Sequence, residues 1–444
     1  MIGQKNYYTM LTDKKILELR KRLLGPSFSL SYREPLHIVQ GKGQYLFDAN
    51  GKRYLDAVNN ISHVGHCHPK VISAEEKQAR MLNTNTRYLN DIIVNYAQQL
   101  TDTLPEGLDV CYFTNSGSES NDLALRMARN FTNSRESIVL NGAYHGHTSA
   151  LIEISPYKFY GPGGMGSPQF VSVIPMPDPY RGKFRGSDQK TGSQYASLVL
   201  EAIAKIQDDG KQLGLFIAEA IMGCGGQIIY PELFLQQAFE MVKKAGGICI
   251  IDEVQIGFGR IGTHFWGFET CDVIPDIVTM GKSMGNGHPI SAVITRKEIA
   301  DAFDNGMEYF NSFGGNPVSC SVGQAVLDVV REEHLQENAL MVGTYLMELL
   351  GELKNKYAII GDVRGKGLFL GVELIKDHDE LTPAGNEADL VANLMKDNNI
   401  LISTDGPDHN VLKIKPPLVF TKDNALELAE TLDRVLDQDN FKIE

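Results

Sequence analysis

From about residue 70 the chain alternates two hydrophobic patterns. Compact apolar runs, "DVCYFTNSG", "ESIVLNGAYHG", "GLFIAEAI", "GICIIDEV", "DIVTMGK" and "ISAVITR", are separated by helical segments. Runs that are apolar on both faces predict strands of a mostly parallel sheet, covered by helices on both sides. Earlier in the chain the pattern predicts a short charged helix over 14–24. "GQYLFDANG" and "KRYLDAV" follow it and predict a β-hairpin turning at Asn50-Gly51. Near residue 330 a long helix, "NALMVGTYLMELLGELK", leads into "GLFLGVEL", "NILIST" and "VLKIKPPLVF" with helices between them. The expected architecture is α/β. Residues 60–328 form a large domain, and 1–59 join 329–444 in a smaller α+β domain. Residues 155–195, rich in Gly, Pro, Ser and aromatics, are expected to form a long ordered loop near a site.

Composition narrows the function classes. The chain has 444 residues, 43% of them hydrophobic, enough to bury a large core. A formal net charge of −13 with no compensating basic block argues against nucleic acid or an anionic membrane as partner. An anionic ligand must therefore meet a local cluster of cations. The six cysteines, Cys67, Cys111, Cys224, Cys249, Cys271 and Cys320, are widely spaced without a C-x-x-C pair and read as reduced core thiols. "MIGQKNYYTMLTDKK" lacks the apolar core of a signal peptide, and no stretch approaches a membrane span, so a cytoplasmic protein is expected.

The candidate chemistry sits at strand ends. In "PDIVTMGKSMGNGHP", Lys282 follows a buried run and stands among glycines and small polar residues. It is either a solvated charge opening a loop or an amine nucleophile that holds a carbonyl cofactor as a Schiff base in a cramped pocket. "FTNSGSESNDLALRMAR" runs through Ser116, Gly117 and Ser118 into an amphipathic helix. Its start is either a phosphate cradle or an ordinary serine cap with a glycine turn. Tyr144 and His145 in "NGAYHGHTSA" suit stacking against an aromatic ring as well as plain core positions. Asp252 and Glu253 end an otherwise apolar strand, where a carboxylate needs a cationic partner such as a protonated ring nitrogen. Gln255 would then reach a neighbouring ring oxygen.

Taken in order and spacing, these segments resemble one family over nearly the whole chain. "GQYLFDANGKRYLDAVNNISHVGHCHP", "TNSGSESNDLA", "YHGHT", "DEVQIGFGR", "GKSMGNGHP", "FGGNP", "GDVRGKGLFLGVEL" and "KPPL" are similar to the class III aminotransferases. These are pyridoxal 5'-phosphate (PLP) enzymes of fold type I. The resemblance implies that Lys282 is the Schiff-base lysine, that Gly117 and Ser118 bind the cofactor phosphate, and that Tyr144 stacks on the ring. It also implies that Asp252 pairs with the ring nitrogen and Gln255 with the phenolic oxygen. Ser312, where the family usually has Thr, would reach the phosphate of the partner subunit's cofactor in a homodimer with shared active sites. His63, His66 and His68 could suggest a metal, but no further spaced ligands accompany them and none is expected.

Two positions depart from the amino-acid aminotransferases that the chain resembles. Their substrate-binding Arg before "PPL" is Lys413 here, and the Glu that pairs with that Arg is Cys224. A lysine keeps the charge but loses the bidentate fit to a carboxylate. Together with "NTNTRYL", "EYFNSFGGNPVSC" and "VLKIKPPL", these changes resemble the ethanolamine-phosphate and phosphohydroxylysine phospho-lyases. They imply elimination of phosphate from a small phosphorylated amine, with transamination of an ω-amine or amino acid as the alternative. A third reading is a non-catalytic PLP-binding protein. Lys413, Lys415, Arg364 and Arg87 are candidate cations for a substrate phosphate, and Glu219 matches a family acid near the cofactor.

Overall fold

The computed structural model describes residues 11–441; residues 1–10, which hold most of the segment examined for a signal peptide, lie outside them. A charged helix, Asp13–Leu23, is followed by β1 (Ile38–Lys42), β2 (Tyr45–Asp48) and β3 (Arg53–Asp56), an antiparallel meander. β2 and β3 turn at Asn50-Gly51 as the pattern predicts, and the glycine takes φ 80°, a left-handed conformation that costs it no Cβ clash.

Seven strands build the central sheet. They are β4 (Val110–Thr114), β5 (Glu136–Leu140), β6 (Val171–Ile174), β7 (Leu213–Glu219), β8 (Ile248–Asp252), β9 (Ile277–Met280) and β10 (Ser291–Thr295). Their order is β4-β10-β9-β8-β7-β5-β6. β10 alone pairs antiparallel with its neighbours, so the C-terminal ends of the other six lie along one edge. Every residue of β7 to β10 is buried, which explains their near-continuous apolar sequences. Alternate residues feed opposite faces. Leu215, Ile217 and Ile250 pack with the helix Gly117–Thr132, while Phe216, Ala218 and Ile251 join the core of the helices Gln189–Asp208 and Phe234–Lys244.

The C-terminal part supplies β11 (Ile360–Lys366), β12 (Phe369–Leu374), β13 (Ile400–Leu401), β14 (Ser403–Asp405) and β15 (Val411–Ile414). A second four-stranded sheet runs β11-β12-β15-β14 under the helices Leu335–Lys356 and Lys422–Leu436. Its apolar cluster takes in Leu55, Ala57 and Val64 from the N-terminal segment.

Three expectations need correction. "NILIST" is two strands: β13 pairs in parallel with β3, and after Ile402 the chain crosses to the other sheet, where β14 pairs with β15. Residues 155–195 are not one loop, because they contain a short helix, Pro156–Phe159, the edge strand β6, and the start of the helix from Gln189. The six cysteines are free thiols, yet only Cys249 and Cys320 are buried and Cys67 is exposed. No helix among the described residues is long and apolar enough to cross a membrane.

Candidate active site

Ligands of open α/β sheets bind beyond the carboxyl ends of the strands, and here five such ends converge. Segments following β4, β5, β7, β8 and β9 enclose a cavity of ≈ 310 Å³ lined by Gly117, Ser118, Tyr144, Asp252, Gln255 and Lys282, among others. Of the eight residues that the resemblance ties to a cofactor or substrate contact, Gly117, Ser118, Tyr144, Asp252, Gln255, Lys282, Ser312 and Lys413, six therefore meet at one place.

One part of the cavity wall is the N-terminus of a helix. Ser116 caps the helix Gly117–Thr132 by accepting from Glu119 N at 3.2 Å, with the amides of Gly117 and Ser118 at the helix's open end. Ser118 Oγ accepts from His147 N at 3.2 Å and retains its own proton for a ligand. Gly117 is required by crowding: a Cβ there would stand 2.7 Å from Val254 Cγ1, and Val254 is itself a wall of the cavity. Gly117→Ala is expected to displace Val254 and weaken cofactor binding by about tenfold or more. An absorbance titration of the cofactor-free variant checks this, with circular dichroism as the control for folding.

The cavity is also lined by a buried carboxylate. Asp252 Oδ2 accepts from Asn121 Nδ2 at 2.7 Å and faces His145 Nδ1 at 3.0 Å, while Oδ1 accepts from Val254 N at 3.1 Å. Asn121 is fixed in turn by the hydroxyl of Thr279, which donates to its Oδ1 at 2.5 Å. Sequence reasoning missed Asn121, Thr279 and Val254. The available signal was polarity: Asn121 stands among the buried residues of a helix and Thr279 interrupts an otherwise apolar buried strand. Glu253, grouped with Asp252 from the sequence, turns away and accepts from Gly267 N and Phe268 N at 3.0 and 2.8 Å.

Lys282 opens a single 3-10 turn, Lys282–Met284, directly after β9 and Gly281. Burial pushes its amine below the ordinary lysine range, against the raising influence of Cys224 and Asp252. The glycines beside it do not all clear space, since a Cβ on Gly285 would lie 2.0 Å from His288 O, so that residue serves a tight turn. The half-buried Tyr144 forms a wall and meets Tyr157 edge-on with centroids 6.3 Å apart.

A third wall comes from β7 and the segment after it. Glu219 accepts from Gly223 N at 2.9 Å, and burial, seconded by the charge of Asp252, pushes its carboxyl up to about 8. Burial likewise pushes the Cys224 thiol up to about 12. Gln255 Oε1 accepts from Asn60 Nδ2 at 3.1 Å and from Lys415 Nζ at 3.4 Å. Asn60 is a further contact that the sequence did not disclose.

Ser312 and Lys413 are not lining residues of this cavity. Ser312 is exposed, and Lys413 Nζ lies 3.2 Å from Asp405 Oδ1. Of the other candidate cations, Lys415 comes nearest through Gln255. Arg364 is buried against Glu373 at 2.6 Å, and Arg87 pairs with Glu308 at 3.0 Å on the surface. The three histidines have separate partners: His63 meets Phe258 O and Arg260, His66 meets Asp56 and Ser62, and His68 meets Glu333. Among the described residues no group of three or more His, Cys, Asp or Glu is placed to hold a metal ion.

Comparison with known proteins identifies the family. The family model "Aminotransferase class-III" matches residues 29–436. A Drosophila melanogaster protein named alanine–glyoxylate aminotransferase 2-like is 50% identical over 94% of this chain and 86% of its own length. A Caenorhabditis elegans protein named ethanolamine-phosphate phospho-lyase homolog 1 is 43% identical over 96% of this chain and 94% of its own. The solved structure of an Arthrobacter phospholyase in complex with phosphoethanolamine superposes with a TM-score of 0.90 at 38% identity, covering 95% of this chain and 99% of that one.

Proposed function

From the premise that the chain belongs to the class III aminotransferases, a family of PLP-dependent enzymes, we propose that it is a phospho-lyase acting on a small phosphorylated amine such as O-phosphoethanolamine. The cavity's donors fit PLP. The Gly117 and Ser118 amides would take its phosphate, Tyr144 its ring face, Asp252 its ring nitrogen, Gln255 its phenolic oxygen and Lys282 its aldehyde. When bound, PLP supplies an aldehyde that captures the substrate amine and a protonated ring that accepts electrons.

The observation that carries the reading is Lys415, which reaches Gln255 at the cavity wall and shares the Asp405 carboxylate with Lys413, near an uncharged Cys224. Two ammonium groups against one Asp405 carboxylate leave a net positive charge, which suits a dianionic phosphate better than a flat carboxylate. Lys282 Nζ, whose basicity burial lowers, is the group proposed to take the proton from the amine-bearing carbon. The lysine pair steadies the phosphate while its C–O bond breaks. With one water consumed, the products are aldehyde, ammonia and phosphate.

Ser312 stands in a surface region with exposed Tyr88, Leu89, Phe310 and Phe313, and Arg87 stacks on Phe310 at 4.3 Å. This apolar face supports a homodimer in which Ser312 serves the neighbouring cofactor. The aminotransferase names among the relatives favour a second reading, transfer of the amino group to a 2-oxo acid.

The test is incubation of the PLP-loaded protein with O-phosphoethanolamine and no 2-oxo acid. Phosphate and acetaldehyde are expected in equal amounts over many turnovers. No phosphate, but an amine-form cofactor that pyruvate restores, would return the protein to the aminotransferases.

A further inference from the structure

Asp405 is a buried carboxylate that no step of the proposed reaction uses. It ends β14, its Oδ2 lies 2.8 Å from Lys415 Nζ and its Oδ1 lies 3.2 Å from Lys413 Nζ. Gln227 Nε2 donates to the same Oδ2 at 2.8 Å and also to Gly223 O at 2.9 Å, which joins the carboxylate to the segment carrying Cys224. Gly406 N donates to Cys224 O at 3.0 Å and closes the connection from the other side. Lys415 is buried, lies over the Phe369 ring at 4.6 Å, and reaches Gln255 at the cavity wall; Lys413, two residues earlier, is more open.

Both lysines therefore share one counter-ion held in place by a neutral amide. Their attraction, with the hydrogen bond from Gln227, outweighs burial and keeps the Asp405 carboxyl below the usual carboxylate range. A dianion arriving beside Gln255 has to compete with this carboxylate for the same ammonium groups.

Resting on the phospho-lyase reading, we infer that Asp405 is a specificity-determining counter-ion that parks Lys413 and Lys415 in the free enzyme and exchanges them to the substrate phosphate on binding. It holds the cluster at one net positive charge: enough to draw in a dianion, and low enough to release the phosphate product. Asp405 is a positioning residue, because it acts through the two lysines.

The charge count supplies the test. Inorganic phosphate is the probe, measured as a competitive inhibitor of O-phosphoethanolamine turnover by the holoenzyme. D405N raises the cluster charge by one and is expected to lower the phosphate inhibition constant by about three- to tenfold. K413Q lowers the charge by one and should raise that constant by a comparable factor. The double variant D405N/K413Q regains the wild-type charge and should return to within about twofold of the wild-type constant. A merely structural role predicts losses that accumulate, so an unmoved or raised constant in D405N, or no recovery in the double variant, overturns the inference. Should D405N alone fail to fold, the recovery in D405N/K413Q decides by itself, and a double variant that also fails to fold assigns Asp405 a structural role. Wild type that releases neither phosphate nor acetaldehyde overturns the phospho-lyase reading and this inference with it. Active wild type with unmoved constants overturns this inference alone.

Discussion

Replacing Lys282 by alanine is expected to lower turnover of the holoenzyme by about four orders of magnitude or more. The same Nζ is proposed both to attach the cofactor and to move the substrate proton, and positioned general-base catalysis alone is worth about 10²–10⁴-fold. No second amine takes its place, because among the described residues no other lysine lines the cavity. The measurement is steady-state phosphate release at known cofactor occupancy. Borohydride treatment gives an independent readout: it should fix the cofactor to the wild-type chain and leave the alanine variant unlabelled. The substitution removes a lysine whose burial already disfavours its charge, so the variant should remain folded. Full activity in Lys282→Ala would refute the assignment.

Asp252→Ala should also cripple the reaction, by about 10²–10⁴-fold in kcat, because the charge that stabilises a protonated ring is lost. Alanine would leave Asn121 Nδ2, His145 Nδ1 and Val254 N without their acceptor, so part of the damage is structural. Asp252→Asn separates the two effects. It keeps the shape and an acceptor oxygen while removing the charge, and its kcat should fall nearly as far as that of the alanine variant with a smaller loss in thermal stability. Wild-type rates in either variant would remove the electron-sink argument for Asp252.

The strands of the central sheet were legible because β7 to β10 are buried on both faces and so read as unbroken apolar runs. β6 escaped notice because an edge strand of four residues, set in a Gly- and Pro-rich segment, has too little periodicity to stand out. The break at Ile402 could not be read at all, since both halves of "NILIST" are good strand sequence and only the tertiary partners differ. The main-chain and charged elements of the cavity were visible because glycine, lysine and aspartate are conspicuous at the ends of apolar runs. Asn121 and Thr279 were not, because a polar residue within a helix or strand does not announce what it faces. The emphasis on Lys413 over Lys415 came from resemblance. Both reach the same Asp405 carboxylate, and the fold brings the second nearer to Gln255.

The division of "NILIST" between two sheets also bears on how the chain is made. As the polypeptide leaves the ribosome, the meander of β1 to β3 emerges first, but its parallel neighbour β13 is among the last segments synthesised. The Tyr32 hydroxyl likewise finds its acceptor, Ile402 O, 370 residues further along the chain. Strands β4 to β10 can pair with one another before that. The β3 edge therefore stays without its parallel neighbour through nearly the whole of translation, and protection of that open edge by chaperones is the expected consequence.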